Sequence, residues 1–110
     1  MGEPVVGDVV VISFPFSDRS ATKRRPAFVA AVAEHGDLIL CQSTSKRYSS
    51  EIALPLGKED FQKGGLPQES FVRPDKLFTA SRSIVKLVAG TVRQPQRGRI
   101  LETVAALFRP

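Results

Sequence analysis

The sequence has no tryptophan, one cysteine and one histidine in 110 residues, and each shortage removes a class of chemistry. A single cysteine cannot close an internal disulfide. Cys41 lies in the apolar stretch Leu38-Ile39-Leu40-Cys41 and reads as a buried, inert thiol. A Cys/His nucleophile would have to recruit His35 from the turn-like "EHGD", and one Cys with one His makes no plausible zinc site, so no metal is expected. Nucleotide cradles are missing too: "GKED" has a Gly-Lys but no P-loop frame, and there is no Gly-x-Gly-x-x-Gly, so no cofactor is implied. Among the eleven carboxylates only Glu59-Asp60 form an obvious close pair, in a loop-like stretch, which leaves conventional acid–base catalysis poorly supplied. No apolar run approaches the roughly 18–20 residues of a membrane span. The start, "MGEPVVGD", lacks a basic-then-apolar signal pattern, so the expectation is a cytoplasmic protein with no membrane contact.

What is present is ordinary globular composition and an uneven charge. Hydrophobic residues make up 42% and charged residues 25%, which together with the length predicts one domain over 1–110. The net charge of +5 comes from two segments: residues 17–50 carry six bases against three acids, and residues 70–110 carry eight against two. Two readings fit that clustering, a solvated surface or a face that attracts a polyanion such as nucleic acid.

Periodicity predicts several short strands and a terminal helix. "VVVISFPF" is β-branched and aromatic after a Gly7-Asp8 turn, and "SDRSATKRR" breaks the pattern as a loop. "PAFVAAVA" and "LILCQST" form a hairpin around "EHGD", with Pro26 opening its strand where no ladder donor is lost. "EIALPL" is a further strand and "GKEDFQKGGLPQ" a loop. "SFVRP" and "KLFTAS" are short strands around a Pro74-Asp75 turn. "SIVKLVAGTV" is ambiguous between helix and strand, while Ile100, Val104, Leu107 and Phe108 fall on one helical face. This pattern predicts a mainly β fold (α+β), a small barrel or strongly curved sheet capped by a C-terminal helix.

One cluster carries chemistry. Four of the seven residues from Arg19 to Arg25 are basic. Counting back from the "EHGD" turn brings Arg25 near Ser43 and Thr44 at the open end of the hairpin. A guanidinium grips phosphate oxygens bidentately, and a hydroxyl both donates and accepts. Together they can hold a phosphodiester and stabilise charge that builds during its attack. For RNA, the 2′-hydroxyl is an internal nucleophile, so this inventory is compatible with ribonuclease chemistry. The alternative is a solvated rim or loop anchor.

"GDVVVISFPFSDRSATKRRPAFVAA" resembles the N-terminal signature of the MazF/PemK toxins, in which Gly-Asp-hydrophobic precedes a strand, a polar loop and Arg-Pro entering a second strand. "SFVRPDKLFTASRSIVKLVAGTV" resembles the second block of that family, and the likeness covers about residues 6–108. The resemblance implies an SH3-like β-barrel of the CcdB/MazF/PemK type with a C-terminal helix, assembled as a homodimer. It also implies the toxin of a type II toxin–antitoxin system, a metal-independent endoribonuclease (mRNA interferase) that cuts single-stranded RNA to a 2′,3′-cyclic phosphate and a 5′-hydroxyl. A cognate antitoxin would cover the RNA groove. The catalytic arginine of the family maps onto Arg25 and its catalytic Thr or Ser onto Thr44, with Ser43 the alternative. Arg19, Lys23, Arg24, Lys46 and Arg47 would hold flanking phosphates, Phe14, Phe16 and Phe78 are candidates to stack bases or to pack in the core, and Asp75-Lys76 would contact RNA, a second subunit or the turn itself. Two other readings stay open: a catalytically silent relative that binds RNA or antitoxin, and a CcdB-like gyrase inhibitor, whose C-terminal tryptophan this chain lacks.

Overall fold

Four successive β-branched residues, Val9 to Ile12, make β1 (Asp8–Pro15) the centre of the fold. The computed structural model of the chain describes residues 3–15, 22–46 and 51–110. Val9, Val10 and Ile12 are all buried although neighbouring strand residues point to opposite faces. A strand covered on both sides has no need of polar alternation, which is why this run is unbroken. β1 pairs with β2 (Thr22–Val32) on one edge and β7 (Val85–Val92) on the other.

β3 (Asp37–Thr44), β4 (Leu54–Leu56), β5 (Phe61–Gly64) and β6 (Ser70–Ser81) complete a seven-stranded sheet, and every pairing is antiparallel. The order is β4-β6-β3-β2-β1-β7-β5. Its two outermost strands, β4 and β5, are consecutive in sequence and joined by residues 57–60. That short link draws the two edges together, so the sheet rolls into a nearly closed barrel and leaves little free edge. Gly7 and Asp8 fasten the start of β1. The Asp8 carboxylate accepts from Thr91 Oγ1 at 2.9 Å and from the Val5 N–H at 3.0 Å.

The two faces of the sheet carry separate cores. One gathers Val9, Phe28, Cys41, Leu56, Phe61 and Val72 with Ile100 of the C-terminal helix α1 (Gln96–Ala106). The other packs Val10, Ile12, Ala27, Val29, Leu38 and Leu40 against Phe78, Ile84 and Val88. Gln96 anchors the start of α1, its Nε2 donating to the Pro55 carbonyl at 2.7 Å. Ile100 is fully buried, and Leu101 and Val104 pack on the same core.

Several boundaries differ from the sequence expectation. β2 starts at Thr22 rather than Pro26, because Thr22 to Arg25 are held by pairing with β1, from Pro15 to Ile12, without needing an apolar face. Pro26 is tolerated inside the strand because pairing with β3 begins one residue later, at Ala27. The stretch expected to be a loop holds β5, in which Phe61 alone is buried. Residues 70–81 form one strand, with the Pro74-Asp75 turn reduced to a register break between Val72 and Leu77. The ambiguous segment is extended as β7, and α1 ends before Leu107 and Phe108, which lie exposed. Among the described residues no helix is long and apolar enough to cross a membrane.

β5 and β7 approach closely only because both carry glycine. A Cβ at Gly90 would lie 2.7 Å from the Lys63 carbonyl oxygen and 2.8 Å from the Gly65 nitrogen, and backbone cannot step aside as a side chain can. Gly90→Ala is therefore expected to lower stability by roughly 1–3 kcal/mol, read as a shifted urea midpoint. Cys41 is fully buried, and burial, with the Asp75 carboxylate adding to it, pushes the thiol up to about 12. The folded state therefore keeps the proton that the unfolded chain releases near 9.0. This contribution to stability is intact below that pH and is lost as pH rises from there towards 12. Alkylation at pH 8 is expected to be at least about a hundredfold slower in native protein than in urea.

Candidate active site

One extra residue fixes which side chains face each other across the β2–β3 hairpin. Val32 pairs with Leu38 and Ala31 with Ile39, but the next pair is Val29 with Leu40, so Ala30 is bulged out. Without the bulge, Arg25 would stand opposite Ser45. With it, counting on from the Ala27–Gln42 pair sets Arg25 level with Thr44.

Beyond Ala27 and Gln42 the two strands no longer pair with each other. Each is held by its outer neighbour instead: Arg25 by Ile12 of β1, Ser43 by Val72 and Thr44 by Phe71 of β6. The result is a splay held on both sides. It forms a cleft of about 350 Å³ lined by Arg24, Arg25, Ser43, Thr44 and Ser45, together with Val11, Pro26, residues 66–68 and Ser70. Gly64, at φ +70, helps turn the chain after β5 so that residues 66–68 reach the cleft.

Register also sorts the two hydroxyls. Paired strand residues share a face, so Arg25 lies with Ile12 and the second core. Thr44, two and four residues beyond Gln42 and Leu40, shares that face. Ser43 lies with Val72 on the face of the first core. The Lys46 N–H donates to Thr44 Oγ1 at 3.1 Å, which fixes the oxygen and leaves its hydrogen to be donated outward. Ser43 is 3% exposed, and among the described residues its Oγ has no hydrogen-bond partner.

Arg24 is exposed on the cleft, and exposed Lys46 follows Ser45 at its edge. Lys23 holds a strand position opposite Phe14, but the side chains of both lie outside the described residues. Arg19, Phe16 and Arg47 also lie outside them. Lys76 is exposed in the β6 register break and does not line the cleft. Phe78 packs on the second core rather than offering a face to a base. Beside Lys76, the Arg73 guanidinium lies 3.6 Å from the Asp75 carboxylate, which makes this Asp a partner for its own strand. His35 sits at the other end of the hairpin, exposed and in a left-handed conformation at φ 63.

Sequence reasoning missed the far wall of the cleft, residues 66–68 and Ser70. The Gly64-Gly65 pair and Pro67 were its only signal, and they spoke for a turn without saying where it leads. Among the described residues no carboxylate, imidazole or thiol lines the cleft; its polar lining is two arginines, hydroxyls and Gln68, a setting for an anion that carries both charge and acceptor oxygens.

Solved structures show the same fold. They include MazF from Deinococcus radiodurans, 18% identical with a TM-score of 0.72 over 97% of this chain and 97% of that one. An endoribonuclease in complex with its cognate antitoxin, from a mycobacterial species, is 15% identical with a TM-score of 0.71 over 96% and 93%. The Mycobacterium tuberculosis toxin MazF-mt6 is 17% identical with a TM-score of 0.68 over 92% and 95%. Comparison with curated protein sequences gave no match. The family of PemK-like, MazF-like toxins of type II toxin–antitoxin systems matches residues 6–108, and the chain belongs to that family.

Proposed function

We propose that the chain is a sequence-specific endoribonuclease that cuts single-stranded mRNA without a metal ion. It works as a homodimer in the cytoplasm and is silenced when a cognate antitoxin covers the cleft. The observation that carries this reading is that Arg25 and Thr44 share one face of splayed strands and both line a cleft in which no carboxylate stands among the described residues. Support for the class comes from the mycobacterial relative of the same fold, an endoribonuclease in complex with its cognate antitoxin.

In this reading the 2′-oxygen of the RNA attacks the adjacent phosphorus and the bond from phosphorus to the 5′-oxygen breaks. The 2′-oxygen loses its proton, the 5′-oxygen gains one, and a 2′,3′-cyclic phosphate and a 5′-hydroxyl result. Arg25 grips the non-bridging oxygens and meets the charge that builds on them. Thr44, its oxygen held by the Lys46 N–H, donates its hydroxyl hydrogen to the same phosphate. Arg24 and Lys46 hold the phosphates on either side.

Long RNA incubated with the protein in EDTA is expected to give discrete fragments with cyclic-phosphate ends. Arg25→Ala and Thr44→Ala are each expected to slow cleavage by about a hundredfold or more. RNA left whole by protein that binds it would favour the catalytically silent relative, and loss of cleavage in EDTA alone would sink the metal-free route. Affinity for a non-cleavable RNA should fall with salt, and Arg24→Ala should flatten the slope of log K against log salt by about 0.7, one phosphate contact on a single strand.

A further inference from the structure

The cleft has a floor that phosphate chemistry does not use. Its rim faces Arg25 and Thr44, but Val11, Pro26, Ser43 and Ser70 belong to the opposite face of the strands, where they continue the rows of Val9, Phe28, Cys41 and Val72. Along those rows the apolar core gives way to hydroxyls just where the cleft opens. Ser70 has a use within the fold, since its Oγ donates to the Gln68 carbonyl at 3.3 Å and ties the far wall to β6. Ser43 has none. The residue is 97% shielded from solvent and lines the cleft, and its buried hydroxyl bonds to nothing among the described residues.

A buried hydroxyl without a partner is rare, because it has given up water for nothing. Here it shares the cleft with Val11, Pro26, Leu66 and Pro67, and with the exposed Gln68. About 350 Å³ is at the small end of ligand cavities and suits one nucleoside rather than a length of strand. Among these side chains the Ser43 hydroxyl is the buried polar group without a partner, while Arg24, Ser45, Gln68 and Ser70 also line the cleft. Such a mix of apolar surface and polar groups suits a flat ring with apolar faces and a polar edge. The phosphate site proposed above is on the other face, with Arg25 and Thr44.

We propose that this floor is a base-reading subsite in which Ser43 is the specificity-determining residue. The base next to the scissile phosphate inserts between Pro26 and the Leu66-Pro67 wall and meets the Ser43 hydroxyl with its polar edge. The proposal rests on RNA as the ligand of the rim, and it assigns Ser43 to sequence choice rather than to the reacting phosphate.

Short RNAs that differ in a single base, placed on either side of a 2′-deoxy nucleotide that cannot be cleaved, test it by fluorescence anisotropy. Wild type is expected to prefer one base by about tenfold or more, and Ser43→Ala to bring the four affinities together. Ser43→Val, which fills the slot without a hydroxyl, should weaken the preferred RNA most. Removing an unbonded buried hydroxyl should leave Tm unchanged or raised in Ser43→Ala, whereas a structural role would lower it. Preference preserved in Ser43→Ala overturns the proposal, as does an equal loss across all four RNAs, which would put Ser43 on a phosphate, or a wild type that shows no preference. Because binding is read without cleavage, a protein that discriminates but does not cut contradicts the ribonuclease reading alone, and one that cuts but keeps its preference without Ser43 contradicts the subsite alone.

Discussion

Ala30 has no counterpart on β3, and this bulge decides what meets at the far end of the hairpin. By register count it sets Thr44 rather than Ser45 level with Arg25, and so puts a guanidinium and a hydroxyl on one face. The same parity sends Ser43 to the other face. Rigidity comes from the flanks: β1 grips β2 and β6 grips β3, so the strands can part without either becoming a loose end. An active site built between two strands that have separated but remain in a sheet is both open to a polymer and fixed in geometry.

The rest of the fold serves that splay. Burial of Val10 and Ile12 with Ala27 and Val29 locks β1 to β2 immediately behind Arg25. The short link from β4 to β5 closes the barrel and leads into the turn that carries residues 66–68 to the cleft. Charge is sorted as well. Part of the basic excess of residues 70–110 is engaged close to home: Arg73 with Asp75, Arg82 with Glu3 and Arg109 with Glu102, while Arg97 lies over Gly7. The cations at the cleft come from the other basic segment, with Arg24 and Arg25 on its lining and Lys46 at its edge. Two clusters that looked equivalent as composition are thus distinct in space.

How much of this could be read from the residues depended on how strongly each stretch declared its burial. Val9 to Ile12 and Leu38 to Cys41 are strands by side-chain type alone, and the helix was legible from Ile100 and Val104. The start of β2 was not, because Thr22 to Arg25 look like a loop and are strand only through pairing with β1. β5 was hidden for a similar reason, one buried phenylalanine among polar residues. Counting from the turn put Arg25 with Ser43 and Thr44 at the open end of the hairpin, and likeness to known toxins proposed Arg25 and Thr44 as the catalytic pair, yet counting alone could not choose between neighbouring hydroxyls. That choice depends on Ala30, which carries no sign of a bulge in its own side chain.

The claim that Arg25 and Thr44 act as one unit on a single phosphate is tested most directly by a double-mutant cycle. Single-turnover cleavage rates would be measured for Arg25→Ala, Thr44→Ala and the pair, after confirming that all three fold. Groups that hold the same phosphate lose their joint effect once either is gone, so the double variant should be scarcely slower than the slower single variant. Losses that multiply would mean that the two side chains act independently, and would contradict the geometry set by the bulge.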